Sequence, residues 1–308
     1  MTDVIVSNAP VAHASTPTRS YFADLWRQFS IHKGGLAGLV VFIFIVLAVA
    51  LGPYIHTVDP NKIDIRAKNQ GPTLLHPFGT DNLGHDMLAQ VLAGGRISLA
   101  VGITSMLLAL FLGTLVGVLS GYIRRLDGPL MRLTDLFLAL PLLPLLLVVI
   151  MLFRDVLRQA FGPSTGIFIL IVFVIGATSW MHTARIVRGD VLAVKSLEFI
   201  VAAKSSGMRE YRIVLRHILP NVLSSIMVSA TLGIASAIIT ESSLSFLGLG
   251  FPSDFPTWGR LLFDGANFLQ LTPSRVLWPG LAISATVLSV NYMGDAIRDA
   301  LDPRTLKR

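Results

Sequence analysis

The chain of 308 residues contains no cysteine, which excludes disulfides, thiolate catalysis and cysteine-based metal sites. Charge is scarce: Asp, Glu, Lys and Arg make up 14% of residues, against about 25% in an ordinary soluble domain. The seven histidines (His13, His32, His56, His76, His85, His182, His217) show no pair at ligand spacing, so no metal site is expected. No GxxxxGK[ST] loop is present, which excludes nucleotide binding in the P-loop manner. Neither a GxSxG elbow nor an HExxH helix occurs, and no catalytic residue is expected.

What fills the chain instead is apolar: 53% of residues are hydrophobic. Six segments run 18 residues or more without Asp, Glu, Lys or Arg: 34–58, 97–123, 136–153, 159–184, 217–240 and 276–294. A bilayer core needs roughly 20 residues of helix to cross. Barrel strands are shorter and alternate in polarity, so the six runs read as helices of an all-α polytopic membrane protein. In the fourth, the loop-like Gly162-Pro163-Ser164-Thr165-Gly166 places the start of the helix near Ile167.

Loop charges orient the bundle. With the N-terminus in the cytoplasm, 17 of the 25 Lys and Arg residues fall in cytoplasmic segments, and eight, Arg96 among them, fall outside. The positive-inside bias therefore puts both termini in the cytoplasm of a cell-membrane protein. The net charge of +7 resides in these loops and faces membrane lipid, so nucleic acid is not an expected partner. Residues 1–19 are polar and lack an apolar run, so they read as a disordered tail and not as a cleavable signal. Tyr21, Phe22, Leu25, Trp26 and Phe29 then form the stripe of an interfacial helix, with a bend expected at Gly34-Gly35.

Within the spans, Gly113, Gly117 and Gly121 lie on one face of the second, a spacing that lets another helix approach closely. Pro141 and Pro144 bend the third. Ionisable groups are nearly absent from the spans, whereas ion-coupled transporters need buried acids along the ion path. Only Glu241, in Thr240-Glu241-Ser242-Ser243, lies within reach of a span. It reads either as a pathway or gate carboxylate with Ser242 and Ser243, or as a group near the outer interface that hydrogen-bonds the following turn.

The longest cytoplasmic segment, 185–220, reads as two short helices, 197–206 and 208–217, with Gly207 as the break. Pro220 is expected at the start of the next membrane helix, where its missing N–H is tolerated. Such a helix–turn–helix offers a docking surface for a soluble partner.

The stretch VAAKSSGMREYRIVLRHILPN (201–221) resembles the EAA loop of prokaryotic ABC importer permeases, with Ala202, Ala203, Gly207, Leu219 and Pro220 on the pattern and Val201 at the family's Glu position. HPFGTDNLGHDMLAQVLAGGRISLAVG (76–102), where His85 stands at the family's Arg, ESSLSFLGLGFPSDFPTWGRLL (241–262) and GDAIRDALDPR (294–304) resemble the C-type permease subunit of the dipeptide, oligopeptide and nickel group. Thr80 or Asp81 is expected to cap the helix leading into the second span. Gly248, Gly250, Pro252, Pro256 and Gly259 are expected to make an irregular outside segment, with Trp258 at the membrane interface.

The resemblance implies the fold of a type I ABC importer permease: a tail 1–19, an interfacial helix and first span 20–58, an extracytoplasmic segment 59–96, a permease core 97–300 containing the coupling loop 185–220, and a tail 301–308. It implies that Ala202, Ala203, Lys204, Gly207, Met208, Leu219 and Pro220 couple to an ATPase. The implied partners are a homologous second permease, two ATP-binding cassette subunits that hold ATP and Mg, and an extracytoplasmic solute-binding protein. No cofactor is expected on this chain. The implied cargo is a short peptide; a nickel chelate, glutathione or another small solute is the alternative, and a secondary transporter or membrane-enzyme subunit the more distant one.

Overall fold

The structure, a computed structural model, describes residues 21–301, with side chains from Trp26 onward. The tail expected over 1–19, residues 302–308, and the side chains of Tyr21, Phe22 and Leu25 lie outside the described residues. Among the described residues the secondary structure is helical apart from one bridge between Thr80 and Asp86.

The order begins with α1 (Tyr21–Ile31), α2 (Lys33–Ile55) and α3 (Met87–Tyr122). It continues with α4 (Arg124–Ala139), α5 (Leu142–Phe161) and α6 (Pro163–Lys195). The cytoplasmic helices α7 (Glu198–Ser205) and α8 (Glu210–Ile213) come next, then α9 (Leu219–Phe246), α10 (Trp258–Ala266) and α11 (Ser274–Leu301). Helices α2, α3, α6, α11 and the run from Glu210 to Phe246 are each long and apolar enough to cross a membrane. Counting the bent pair α4–α5 as one span brings the number among the described residues to six.

That bent pair corrects the third span. Residues 136–153 do not form one helix: α4 stops at Ala139, α5 starts at Leu142, and the two diverge by 89°. Pro141 excludes Leu140 from the helical region, and both residues are extended. Pro144 falls in the first turn of α5, where its missing donor costs nothing. The crossing helix therefore extends past Phe153 and carries Arg154, Asp155 and Arg158 in its last turns.

Other boundaries also move. The break between α1 and α2 is at His32, whose Nδ1 caps α2 by accepting from the Gly35 N–H at 2.9 Å. Gly34-Gly35 is not the bend; a methyl on Gly35 would lie 2.1 Å from Ala296 Cβ, so this glycine serves close packing on α11. Helix α3 starts at Met87, and its cap is Asp86, which accepts from Ala89 N–H at 2.7 Å. Thr80 and Asp81 cannot cap it because Gly84, at φ +85°, still turns the chain after them. The cytoplasmic end of α6 runs to Lys195, so the loop proper begins at Ser196.

Helix α3 packs along α6 through its glycine face. Methyls added to Gly113, Gly117 and Gly121 would meet Thr183, Val187 and Val191 Cβ atoms at 2.7, 2.7 and 2.8 Å. Backbones can approach this closely only where no side chain intervenes, which supplies dispersion contact in a solvent that gives no hydrophobic drive. Lys195 completes the joint: its Nζ donates to the Tyr122 carbonyl at 2.6 Å, at the negative end of α3. Arg188 pairs with Asp127 through two hydrogen bonds of 2.5 and 2.8 Å, and Arg185 pairs with Asp135, so α4 is tied to the same helix.

Candidate functional site

The cytoplasmic turn is built from its backbone. Gly207 has φ +78°, its N–H donates to the Lys204 carbonyl at 3.1 Å, and the Met208 N–H reaches the Ala203 carbonyl at 3.2 Å. This pair of bonds is a Schellman cap, which closes α7 and needs a left-handed residue at Gly207. The second arm is not the α-helix expected over 208–217. Helix α8 covers only Glu210–Ile213, and a π turn at Val214–Ile218 leads directly into α9. Pro220 falls at the start of α9 as expected, but α9 follows a π turn and not a loop, so the helical path is continuous through it. Its ring would clash with the carbonyl four residues back, and the widened turn before it relieves that crowding.

Ile200 of α7 and Ile213 of α8, 3% and 0% exposed, insert into one cluster with Val187 and Val191 of α6 and Ile218 and Val222 near the start of α9. Met208 and Leu219 pack against the same cluster. Phe199, Val201, Ala202, Lys204 and Gly207 face outward, and Ala203 is half-buried. An exposed surface that mixes apolar Phe199, Val201 and Ala202 with charged Glu198, Lys204 and Arg209 is thus packed onto the inner ends of α6 and α9.

Those two helices also line a cleft of about 910 Å³, closed on its other sides by the α4–α5 elbow and the end of α11. Ser225, Ser229, Ser236 and Thr240 of α9 face Ser179 and His182 of α6 across it. Among the described residues its other ionisable linings are Arg298 and Asp299, near the cytoplasmic end of α11.

Glu241, one residue beyond the cleft, turns into the protein and is 0% exposed. It accepts from Ser98 Oγ of α3 at 3.0 Å and Ser245 Oγ at 2.8 Å. Ser98 Oγ in turn accepts from the Trp258 N–H at 3.2 Å. Glu241 thus pins α9 to α3 and to the start of α10. Ser242 is buried nearby, and Ser243 Oγ bonds the Ile239 carbonyl at 2.8 Å. Trp258 is 1% exposed and donates from Nε1 to the Val91 carbonyl at 2.9 Å, so it is a core residue and not an interfacial one. Gly259 lies within α10 and packs on Ser242.

Two groupings escaped the sequence. His56 and His76 approach Asp86 at 3.1 and 2.7 Å, tying the extracytoplasmic segment to the cap of α3; thirty residues of sequence separate the ends of this cluster. The hydroxyl-lined face of the cleft emerges only when α6 and α9 are set side by side, although the serine spacing along α9 was present to be read.

A bundle of membrane-crossing helices around a hydroxyl-lined cleft, with a turn between α7 and α8 packed on the helices that form its walls, has the architecture of a membrane permease subunit. Residues 109–307 match the family described as binding-protein-dependent transport system inner membrane component, and residues 20–72 match the N-terminal transmembrane domain of oligopeptide transport permease C. The chain is 36% identical over 290 residues to the dipeptide transport system permease protein DppC of Bacillus subtilis, covering 94% of this chain and 87% of that protein. It is 36% identical to the oligopeptide transport system permease protein OppC of Haemophilus influenzae, covering 93% of this chain and 89% of that one. It is 37% identical to the glutathione transport system permease protein GsiD of Pectobacterium atrosepticum, covering 93% and 92%. Among solved structures, the inward-facing MetNI methionine ABC transporter contains a chain with the same fold at a TM-score of 0.56 and 18% identity, covering 70% of this chain and 98% of that one. The chain belongs to the family of inner-membrane components of binding-protein-dependent transport systems. It is a multi-pass inner-membrane protein and a transport permease, not an ATPase.

Proposed function

We propose that the chain is one half of the translocation pathway of an ATP-driven importer of short peptides. It pairs with a homologous permease and receives cargo from an extracytoplasmic solute-binding protein. Two ATP-binding cassette subunits supply ATP and Mg chemistry and dock on the turn formed by Ala202, Ala203, Lys204, Gly207 and Met208. The observation that carries this reading is the seating of Ile200 and Ile213 between α6 and α9. A partner that pushes on α7 moves the two helices lining the cleft, so closure of the ATPases reaches the pathway through packed side chains. Alternation between outward-open and inward-open states follows when the partners bind those states with different affinity.

The peptide assignment draws on the dipeptide and oligopeptide permeases among the relatives. Glutathione, named for another relative, is cargo of the same size class. The test is uptake by the complete complex in proteoliposomes. ATP-dependent accumulation of peptide delivered by the binding protein supports the proposal, and accumulation without ATP contradicts it.

A further inference from the structure

Among the described residues, four serine hydroxyls of the cleft lack the back-bond that the cleft's own Thr178 and Thr240 make to the Val174 and Ser236 carbonyls, each at 2.8 Å. Thr286 and Ser289 of α11, and Ser243 and Thr231 of α9, each spend their hydroxyl on a backbone carbonyl one turn back. Ser179, Ser225, Ser229 and Ser236 make no such bond among the described residues. Ser229 is the telling case: it is only 9% exposed, its Oγ has no partner, and it lines the cleft. A hydroxyl left unpaired in a largely buried position is costly unless something enters to bond it.

The spacing is equally specific. Ser225, Ser229, Ser236 and Thr240 fall on one face of α9, separated by four, seven and four residues. On an α-helix those steps rise about 6, 10.5 and 6 Å. An extended peptide repeats its outward main-chain groups every two residues, about 6.6 Å. The Ser225–Ser229 step approximates one such repeat, and Ser236 stands about two helical turns further along the same face. Among the described residues the ionisable groups lining the cleft are His182 and, near the end of α11, Arg298 and Asp299, so the α6 and α9 walls present no acidic, lysine or arginine side chain with which to select cargo side chains.

We infer that Ser225, Ser229 and Ser236, with Ser179 opposite, form a ladder that hydrogen-bonds the main chain of an extended peptide and is indifferent to its side chains. This rests on the peptide-importer reading and adds the residues and the chemistry by which the path holds its cargo. Each hydroxyl can donate to a peptide carbonyl or accept from a peptide N–H, so one rung serves either group as the peptide advances.

The test uses the complete complex in proteoliposomes and three synthetic tripeptides centred on Ala, Lys and Glu. Combined Ser225→Ala, Ser229→Ala and Ser236→Ala should lower uptake of all three about fivefold or more, the scale of one net hydrogen bond lost, while ATP hydrolysis stimulated by the loaded binding protein persists. Unchanged uptake, or a loss confined to one of the three peptides, overturns the ladder and leaves the importer reading intact. Failure of the unsubstituted complex to import any tripeptide overturns both. Because the chain has no cysteine, Ser225→Cys, Ser229→Cys and Ser236→Cys provide a second measurement that survives poor folding of the triple variant. Reaction with a small methanethiosulfonate, followed on this chain by mass spectrometry, should modify each site, and bound tripeptide should protect it. Thiols at these positions that do not react, or that react equally with and without peptide, also overturn the ladder.

Discussion

Arg96 of α3 donates from Nε to the carbonyl of Val49 at 3.0 Å, and Val49 is the residue whose carbonyl Pro53 leaves without its helical donor. A second bond from Nη2 reaches the next carbonyl, Ala50, at 2.8 Å, and the guanidinium lies 5.8 Å from the Tyr54 ring. The arginine that breaks the apolar run of α3 thus mends the backbone of α2.

Arg96→Ala should destabilise the protein in detergent by about 1 kcal/mol, because it leaves a helix carbonyl unsatisfied in an apolar setting. Pro53→Ala restores the missing N–H and should recover much of that loss when combined with Arg96→Ala. Thermal unfolding of the two single variants and the double variant checks this. Simple additivity of the two effects would mean that the arginine and the proline are unrelated.

At the cytoplasmic turn, Gly207→Val places a β-branched residue at φ +78°, which costs on the order of 1–2 kcal/mol locally. Nothing lies within 4 Å of the added Cβ, so the penalty is conformational and not steric crowding. Membrane insertion should persist while transport-coupled ATP hydrolysis falls. Gly207→Asn, which tolerates the left-handed region, should retain more activity. Equal hydrolysis and transport by the Val variant and the unsubstituted complex would remove this turn from the coupling path.

The glycine face of α3 allows a contrast within one chain. Gly117→Val should disrupt α3–α6 packing at a cost of about 1–3 kcal/mol, since even a Cβ meets Val187 at 2.7 Å. Gly189→Ala has open space around it within α6 and should stabilise the helix by up to about 1 kcal/mol. Unfolding midpoints of both variants in the same detergent test the assignment, and similar shifts in both would contradict it.

Glu241→Ala leaves the buried hydroxyls of Ser98 and Ser245 without their acceptor, a loss of about 1–3 kcal/mol. Because Ser98 also holds the Trp258 N–H, the segment between α9 and α10 should become more open to protease. Glu241→Gln keeps one carbonyl acceptor and should be milder. Proteolysis rates in the order Ala, Gln, unsubstituted are expected; no change in either variant would show that the carboxylate is not a brace.

The spans were legible because six runs of sequence carry no charge, and bilayer thickness turns such runs into helices. Direction was not. A charge count sees 136–153 as one stretch, whereas the 89° turn depends on how Pro141 excludes its neighbour from the helix. The bond from Arg96 to the backbone of α2 was not legible, because composition cannot show that Pro53, far back in the chain, leaves a carbonyl in need of a donor. Gly207 was readable as a break, since a glycine between two short helical patterns has few other uses. The π turn before Pro220 was not, for it depends on α8 and α9 sharing one axis. Trp258 looked interfacial because tryptophan often is, and only tertiary packing puts it in the core. The cleft serines recur on one face of α9, but that spacing becomes a site only when another helix faces them.

The central claim is that work done by ATPase partners reaches the α6–α9 cleft through the turn at Gly207. Its most direct test is cross-linking from Ala202→Cys in the cysteine-free chain, measured together with ATP-driven tripeptide uptake by the same reconstituted complex. The expected result is a bond from position 202 to an ATP-binding cassette subunit and uptake that stops when ATP is withheld. Uptake that continues without ATP on an imposed ion gradient, with position 202 joined to no ATPase, would contradict the account.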